Sequence, residues 1–400
     1  MRYSNLLRFL LIRRHVLLTL VVLGTAWLMA NSAHAQPKEN GLYLGGFLQG
    51  ALGTQIQDSG AQKMLESLKQ AEIAAYWRFM DKGMLGVELE YEPTKFARKQ
   101  TRDLSGSQMA NKILEVAYFE WRESLVGFSL GKMVSHVGVE GLDIIERLAW
   151  EKSPMPNPHT YSGAFVSAYL PWNLELYGGA TLGWDTLWNK NDAISPIVGI
   201  KHRSPQERAG LTYHSNLSFI IGPEQRDNKD DHRWLVDYSA GINVGKTSEV
   251  LYEILYGQEE GLGYDGESGA PDPNKAATFW AGLTSFEYAF NQSPSSSIQP
   301  LAIGQRLEVI RDKDMLWGWF PEDIDGLTTQ VALTSTLRYR LHDWIDLMLD
   351  YRADFARGDV QNVSVLRNID AFPEIWNMGQ WYHSHQFVFG VVGLFSTRIN

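Results

Sequence analysis

The sequence predicts an all-β fold: a transmembrane antiparallel barrel of about 16 strands, with short turns at one end and long loops at the other. Two observations carry that prediction. One is period-two alternation, since successive side chains of a strand point to opposite faces. In 344–356, Ile345, Leu347, Leu349, Tyr351, Ala353 and Phe355 share one face, while Asp346, Met348, Asp350, Arg352 and Asp354 share the other. The first face suits lipid and the second suits water. The other observation is a secretion-type leader ahead of a chain with no cysteine. A closed barrel satisfies its backbone hydrogen bonds within a bilayer and needs no covalent staple.

Residues 1–35 have the layout of a cleaved signal peptide. Arg2, Arg8, Arg13 and Arg14 form a basic segment, 17–29 is an apolar core, and Ala33-His34-Ala35 is a small-residue cleavage site. A retained anchor is the alternative, but the apolar run is shorter than the roughly 20 residues of a spanning helix. Residues 36–400 then form one barrel domain. The leader holds four Arg and no acid, so the remainder carries −10 − 4 = −14. Such acidity argues against nucleic-acid binding, which needs clustered Lys and Arg. Without cysteine there is no thiol chemistry and no Cys-ligated zinc. Aromatic residues reach 12%, as two interfacial girdles require; a soluble β-sandwich or β-helix with an aromatic core would use them too.

In chain order, strands 1 and 2 fall at 42–53 and 71–80, joined by a long link over 54–70, and Asp81-Lys82 makes the next turn. Strand 3, 83–92, sets Leu85, Val87, Leu89 and Tyr91 against Glu88, Glu90 and Glu92. Link 93–111 leads to strand 4 at 112–122, and Glu123-Ser124 turns into strand 5 at 125–132. Link 133–160 precedes strand 6 at 161–170, and Pro171-Trp172 turns into strand 7 at 173–184. Link 185–195 reaches strand 8 at 196–202. Strand 9, 207–220, sets Leu211, Tyr213, Leu217 and Phe219 against Thr212, His214, Asn216 and Ser218. After link 221–232, strand 10 at 233–244 opposes Trp234, Val236, Tyr238, Ala240, Ile242 and Val244 to Asp237, Ser239 and Asn243. Gly245-Lys246-Thr247 turns into strand 11 at 248–257, and link 258–275 reaches strand 12 at 276–290. Strand 13 at 298–311 and link 312–326 lead to strand 14 at 327–340, where Val331, Leu333, Leu337 and Tyr339 oppose Gln330, Thr334, Thr336, Arg338 and Arg340. His342-Asp343 turns into strand 15 at 344–356, and link 357–384 precedes strand 16 at 385–398.

Long links thus follow odd strands and short ones follow even strands, the pattern of external loops and periplasmic turns. A charged face on nearly every strand leaves no dry core to share between two sheets, which separates a barrel from a sandwich. The length agrees: 400 − 35 = 365 residues give about 23 per strand, and 14 or 18 strands would also fit. A barrel of that size encloses an aqueous lumen.

Six motifs stand in order between about 111 and 356. They are Gly131-Lys132 with Gly138-Val139-Glu140; Gly183-Trp184-Asp185 with 189–192; Gly222-Pro223-Glu224-Gln225-Arg226-Asp227-Asn228 with Asp231-His232-Arg233; Tyr256-Gly257-Gln258-Glu259; Trp280-Ala281-Gly282 with Tyr288; and Arg306-Leu307-Glu308 with Asp312-Lys313-Asp314. As an ordered set they resemble the OmpL-like family of putative β-barrel porins. The resemblance implies an outer-membrane pore-forming protein of a Gram-negative envelope. It brings no substrate and no catalytic residue. Barrel chains commonly finish on an aromatic residue, and 395–400, Phe-Ser-Thr-Arg-Ile-Asn, departs from that.

Link 133–160 is the candidate constriction, folded into the lumen; an external loop over the rim is the alternative. Its first half, 137–150, has Leu142, Ile145, Leu148 and Ala149 on one helical face, so Glu140, Asp143, Glu146 and Arg147 would face the channel. Further inward charges are Glu88, Glu90, Arg306, Glu308, Arg338, Arg340, Asp350, Arg352 and Asp354. Rings of charge select ions by sign; arginines on the last strands facing glutamates on the third would set up a transverse field, while plain solvation of a polar wall is the alternative. The net charge predicts mild cation preference. No cofactor is expected. Asp227, Asp230 and Asp231, or Asp312 and Asp314, lack the EF-hand spacing and read as solvated turns rather than a calcium site. His383 and His385 read as polar tips at an interface girdle. No G-x-S-x-G, H-E-x-x-H or P-loop is present, and His214 with Ser218 follows from alternation alone, so no enzyme is expected.

The sequence therefore predicts a passive diffusion pore for small hydrophilic solutes or ions, held in outer-membrane lipid and lipopolysaccharide. A homotrimer is expected by analogy. The other readings are a substrate-selective channel, with Tyr177 and Trp376 as contributors, a plugged barrel serving as adhesin or scaffold, and a soluble periplasmic β-protein.

Overall fold

Strand pairing closes completely. Sixteen antiparallel strands form one closed barrel. They are β1 Gly41–Gln57, β2 Gln62–Phe79, β3 Gly83–Tyr91, β4 Leu114–Arg122, β5 Val126–Val134, β6 Thr160–Leu170, β7 Leu174–Trp184, β8 Ser195–Arg203, β9 Leu211–Gly222, β10 Arg233–Val244, β11 Ser248–Glu259, β12 Ala277–Phe290, β13 Leu301–Asp312, β14 Thr329–His342, β15 Ile345–Arg357 and β16 Trp381–Ile399. This is a computed structural model, and it describes residues 39–57, 62–91, 113–139, 155–185, 191–204, 210–225, 228–245, 247–261, 263–264, 271–272, 274–290, 301–312, 329–342, 344–357 and 381–399. β1 closes the ring on β16, from Leu42 opposite Ile399 to Gln57 opposite Ser384. Closure leaves no open edge, so the ladder satisfies the backbone within lipid. Among the described residues no helix is long and apolar enough to cross a membrane; the strands make the crossing.

Alternation places the side chains as expected. In β10, Val236, Tyr238 and Ile242 are 37–43% exposed, whereas Asp237 is 0% and Ser239 is 4% exposed. The apolar residues thus form the outer surface and the polar ones the inner. Aromatic rings gather on the outside toward both ends. Trp77 and Phe79 sit 5.0 Å apart and Phe119 and Phe128 5.4 Å apart near the short turns, and Trp234 and Tyr256 lie 5.4 Å apart near the long loops. Such rings suit the membrane–water interfaces. His385 accompanies them: it meets the Tyr351 hydroxyl at 2.8 Å, and His383 stands edge-on to Phe355.

Several expectations need correction. The first long link is short: β1 and β2 stay paired as far as Ile56 opposite Gln62, with a bulge at Gln49/Gly50. Polar residues at 54–70 concealed a ladder because backbone pairing tolerates polarity once strands rise out of lipid. β9 begins at Leu211, not 207, and the Gly245 amide just after β10 donates to the Gly210 carbonyl just before β9. Ala353 has lipid-facing parity, yet is buried at 4% exposure, because its small side chain lies between the Tyr351–His385 and Phe355–His383 ring pairs. Link 258–275 carries a small ladder of its own, Gly263–Tyr264 with Pro271–Asp272. The inner surface, finally, is not uniformly polar. Tyr161, Phe165, Ile197, Ile220, Leu235, Leu255, Phe279, Leu283 and Ile310 form a buried apolar cluster inside the barrel.

Candidate channel lumen

Charge on the inner wall of β13–β15 is organised by strand register. Arg306, Thr334 and Arg352 are cross-strand partners, and Glu308, Ala332 and Asp354 form the next inward row. Ala332 is small, so the Arg352 guanidinium reaches across β14 to Glu308 Oε2 at 2.5 Å. Its Nε also meets Asp354 Oδ1 at 2.9 Å, Arg306 Nε lies 3.2 Å from Glu308 Oε2, and Gln330 donates to Asp354 at 2.8 Å. Two guanidiniums and two carboxylates thereby compensate one another. Asp350 is buried on the same face.

Arg338 and Arg340 lie four and six residues nearer the short-turn end of β14 than Thr334, roughly 13 and 20 Å along the strand. Arg338 pairs with Glu287 at 2.8 Å, and Arg340 contacts both oxygens of Asp346 at 2.7 Å. The arginines therefore present themselves as dipoles at several heights rather than as one bare arc. On the opposite side of the β1 seam, Glu88 and Glu90 are buried on β3, with Glu72 of β2 directly opposite Glu90. Gln70 donates to Glu90 at 2.7 Å and the Tyr76 hydroxyl donates to Glu88.

The link after β5 enters the barrel. Its two ends are pinned together where the Ser135 amide donates to the His159 carbonyl at 2.8 Å. From there it crosses to the wall of β9–β11, four to six strands away. Asn216 donates to the His136 carbonyl at 2.5 Å, the Gly138 amide donates to Asp237 at 3.2 Å, and the Val139 amide donates to Glu253 at 2.9 Å. Asn157, on the returning arm, donates to the other Glu253 oxygen at 2.9 Å. Gly138 makes this turn at φ +93°, a conformation that L side chains rarely adopt. Val137 and Met155 seat in the inner apolar cluster, so the wall opposite the link is apolar to receive it. Residues 137–139 form bends rather than the start of a helix. Glu140, Asp143, Glu146 and Arg147 lie outside the described residues, as do Leu142, Ile145, Leu148 and Ala149.

His136 sits edge-on to Tyr161, Phe165 and Tyr177, and its amide donates to the Tyr161 hydroxyl at 2.6 Å. Burial among these rings pushes its imidazole down to about 3, and the Lys201 charge adds to the effect. Tyr177 reaches this position because it lies over Gly199 of β8, where a Cβ would strike its ring. Tyr177 also donates to Asn216 at 3.1 Å.

Three of the sequence motifs, those at 183–192, 222–233 and 256–259, converge on the long-loop rim. Glu224 accepts from the Trp184 amide at 2.9 Å and from the Ser195 hydroxyl at 2.7 Å. Asn191 donates to the carbonyls of Pro223 and Gln225, and Gln225 donates to that of Glu260. Arg233 pairs with Glu259 at 2.5 Å and stacks over Trp184. Asp185 accepts from the amides of His159 and Thr160 at 2.8 Å each. These residues brace the rim of β6–β11 and the foot of the inward link. Asn228 caps a turn holding Asp230 and Asp231, and among the described residues no group of three or more His, Cys, Asp or Glu could hold a metal. Asp227, Asp314 and Trp376 lie outside the described residues.

The comparisons agree with this architecture. The profile of a family described as "Putative beta-barrel porin-2, OmpL-like" matches residues 78–390. No curated protein matches in sequence. Similar solved structures include the outer membrane channel DcaP of Acinetobacter baumannii, at TM-score 0.54 and 12% identity over 91% of this chain and 100% of that one. An anion-selective porin from Comamonas acidovorans is similar at TM-score 0.53 and 8% identity, over 89% and 100%. The trimer form of OmpT from Vibrio cholerae follows at 0.51 and 9%, over 89% and 100%. At such identities the likeness is one of fold.

Proposed function

The chain belongs to the OmpL-like putative β-barrel porin family, and from that premise we propose that it is an outer-membrane diffusion channel for small hydrophilic solutes or ions. Membership supports a channel role and an outer-membrane location; the finer features are our own reading. The link after β5 narrows the lumen, and mild cation preference follows from the acidic wall. One observation carries the constriction: the amides of Gly138 and Val139 are held by Asp237 and Glu253 on the far wall. Glu140, Asp143, Glu146 and Arg147 would add their charges to that narrowing. Cation preference is supported by the net charge of −10 − 4 = −14 after removal of the leader 1–35, and by the pairing of Arg306, Arg338, Arg340 and Arg352 with carboxylates. Transport through such a pore needs no bond-making step, and we assign no catalytic residue. A homotrimer is proposed because a neighbour of the same fold is recorded in trimer form.

The test is single-channel recording of the purified mature protein in a planar bilayer under a salt gradient. Discrete salt-dependent steps with a reversal potential toward cations are expected. Silence from a folded, heat-modifiable barrel would favour a plugged scaffold, and an anionic reversal potential would refute the selectivity.

A further inference from the structure

Three cations of the inner wall differ from those described above. Arg122 ends β4, Arg203 ends β8, and Lys201 lies two residues before it. Val198 and Ile200 are exposed on the lipid side of β8, so Lys201 and Arg203 face inward, at the periplasmic mouth. Arg306, Arg338, Arg340 and Arg352 each touch a carboxylate. In contrast, among the described residues no carboxylate oxygen lies within 4.0 Å of Arg122, Lys201 or Arg203. Two of them rest on aromatic rings instead. Arg122 Cζ lies 4.1 Å from the Tyr169 ring centroid and Lys201 Nζ 4.9 Å from that of Tyr177. Of the two neighbouring acids, Glu120 and Glu175, the latter accepts a hydrogen bond from Ser167 at 2.8 Å. Arg78 also lies near Glu120, so cations outnumber these two carboxylates in this part of the wall.

Cations with no carboxylate in direct contact, and only partly compensated by Glu120 and Glu175, are open to an anion from the lumen. A carboxylate would complete their charge-assisted hydrogen bonds, while an apolar body would lie against the tyrosine faces. Tyr177 also touches His136 of the inward link, so a solute passing that link would meet this cluster next. We propose that Arg122, Lys201 and Arg203, with Tyr169 and Tyr177, form a subsite for small organic anions that carry a carboxylate on an apolar or aromatic body. The inference rests on the channel reading for the solute's access to the lumen.

The experiment measures equilibrium binding of benzoate, benzamide and inorganic phosphate to the folded barrel in detergent by calorimetry, and current block by the same probes in bilayers. Benzoate is expected to bind saturably, at least tenfold more tightly than benzamide or phosphate. Lys201→Gln and Arg203→Gln should each weaken it at least tenfold, while Lys82→Gln, in an exposed turn pair with Glu123, should leave it unchanged. Equal binding of benzamide or phosphate overturns the proposal, as does benzoate affinity unchanged in both variants. The benzoate–benzamide comparison decides the matter even where a variant fails to fold. Benzoate binding to a barrel that conducts nothing would sink the pore reading and leave the subsite standing. Open pores with neither binding nor block would do the reverse.

Discussion

Glu253→Ala is the most direct probe of the inward link. Glu253 is buried at 1% exposure, and its two oxygens accept from the Val139 amide and the Asn157 side chain, both at 2.9 Å. Hydrogen bonds to a charged acceptor contribute about 1.5–3 kcal/mol each, so truncation removes about 3–6 kcal/mol of docking energy. At the lower figure the released population rises on the order of 100-fold. The barrel itself should survive, because Glu253 pairs with Ser239 and Leu283 through the backbone. Single-channel traces should become noisier with a larger mean conductance, and limited proteolysis should cut near 135–139 in the variant only. Glu253→Gln keeps an acceptor and should lie between the two. Conductance, noise and cleavage indistinguishable from the parent would refute the latch.

Three further outcomes are expected. His136 is held neutral by burial, down to about 3, so the released link takes up the proton first. Docking is therefore complete above the ordinary value of about 6.5 and weakens as pH falls toward 3, by about 1.4 kcal/mol per unit; His136→Gln should flatten the rise in current noise between pH 7 and 4.5. Arg352→Gln leaves Glu308 and Asp354 without their shared cation, which should cost about 3–5 kcal/mol of stability and move the reversal potential further toward cations, whereas Glu308→Gln should move it the other way. Gly199→Val would place a Cβ against the Tyr177 ring and cost about 1–3 kcal/mol by overpacking, seen as a lower melting temperature and an altered near-ultraviolet tyrosine signal.

Strand existence was legible because lipid and water impose opposite demands on alternate residues, as Val236 against Asp237 illustrates. The inner apolar cluster escaped that logic. Leu235 and Leu255 have inward parity, yet they face the docked link rather than water. Their trace in the sequence is a break in alternation, Trp234-Leu235-Val236 and Ile254-Leu255-Tyr256, in neighbouring strands. Such paired breaks mark where something apolar lies against the wall. Glu88, Glu90, Arg306, Glu308 and Arg352 were readable as inward charges, but their partners were not, since Arg352 reaches Glu308 only through a register that seats Ala332 between them. The rim motifs were visible as conspicuous strings; that Glu224 and Asp185 hold neighbouring loops required the geometry of three strands at once.

The seam between β1 and β16 governs how the barrel comes to exist. Leu42 meets Ile399 across 399 − 42 = 357 positions of chain. Until β16 arrives, β1 presents a long row of unsatisfied amides and carbonyls, the kind of edge that recruits foreign strands. Pairing so distant in sequence is slow to form. The vulnerable period thus lasts from the emergence of β1 to the docking of the final strand, and a molecule stalled before that step is a sticky ribbon rather than a leaky pore.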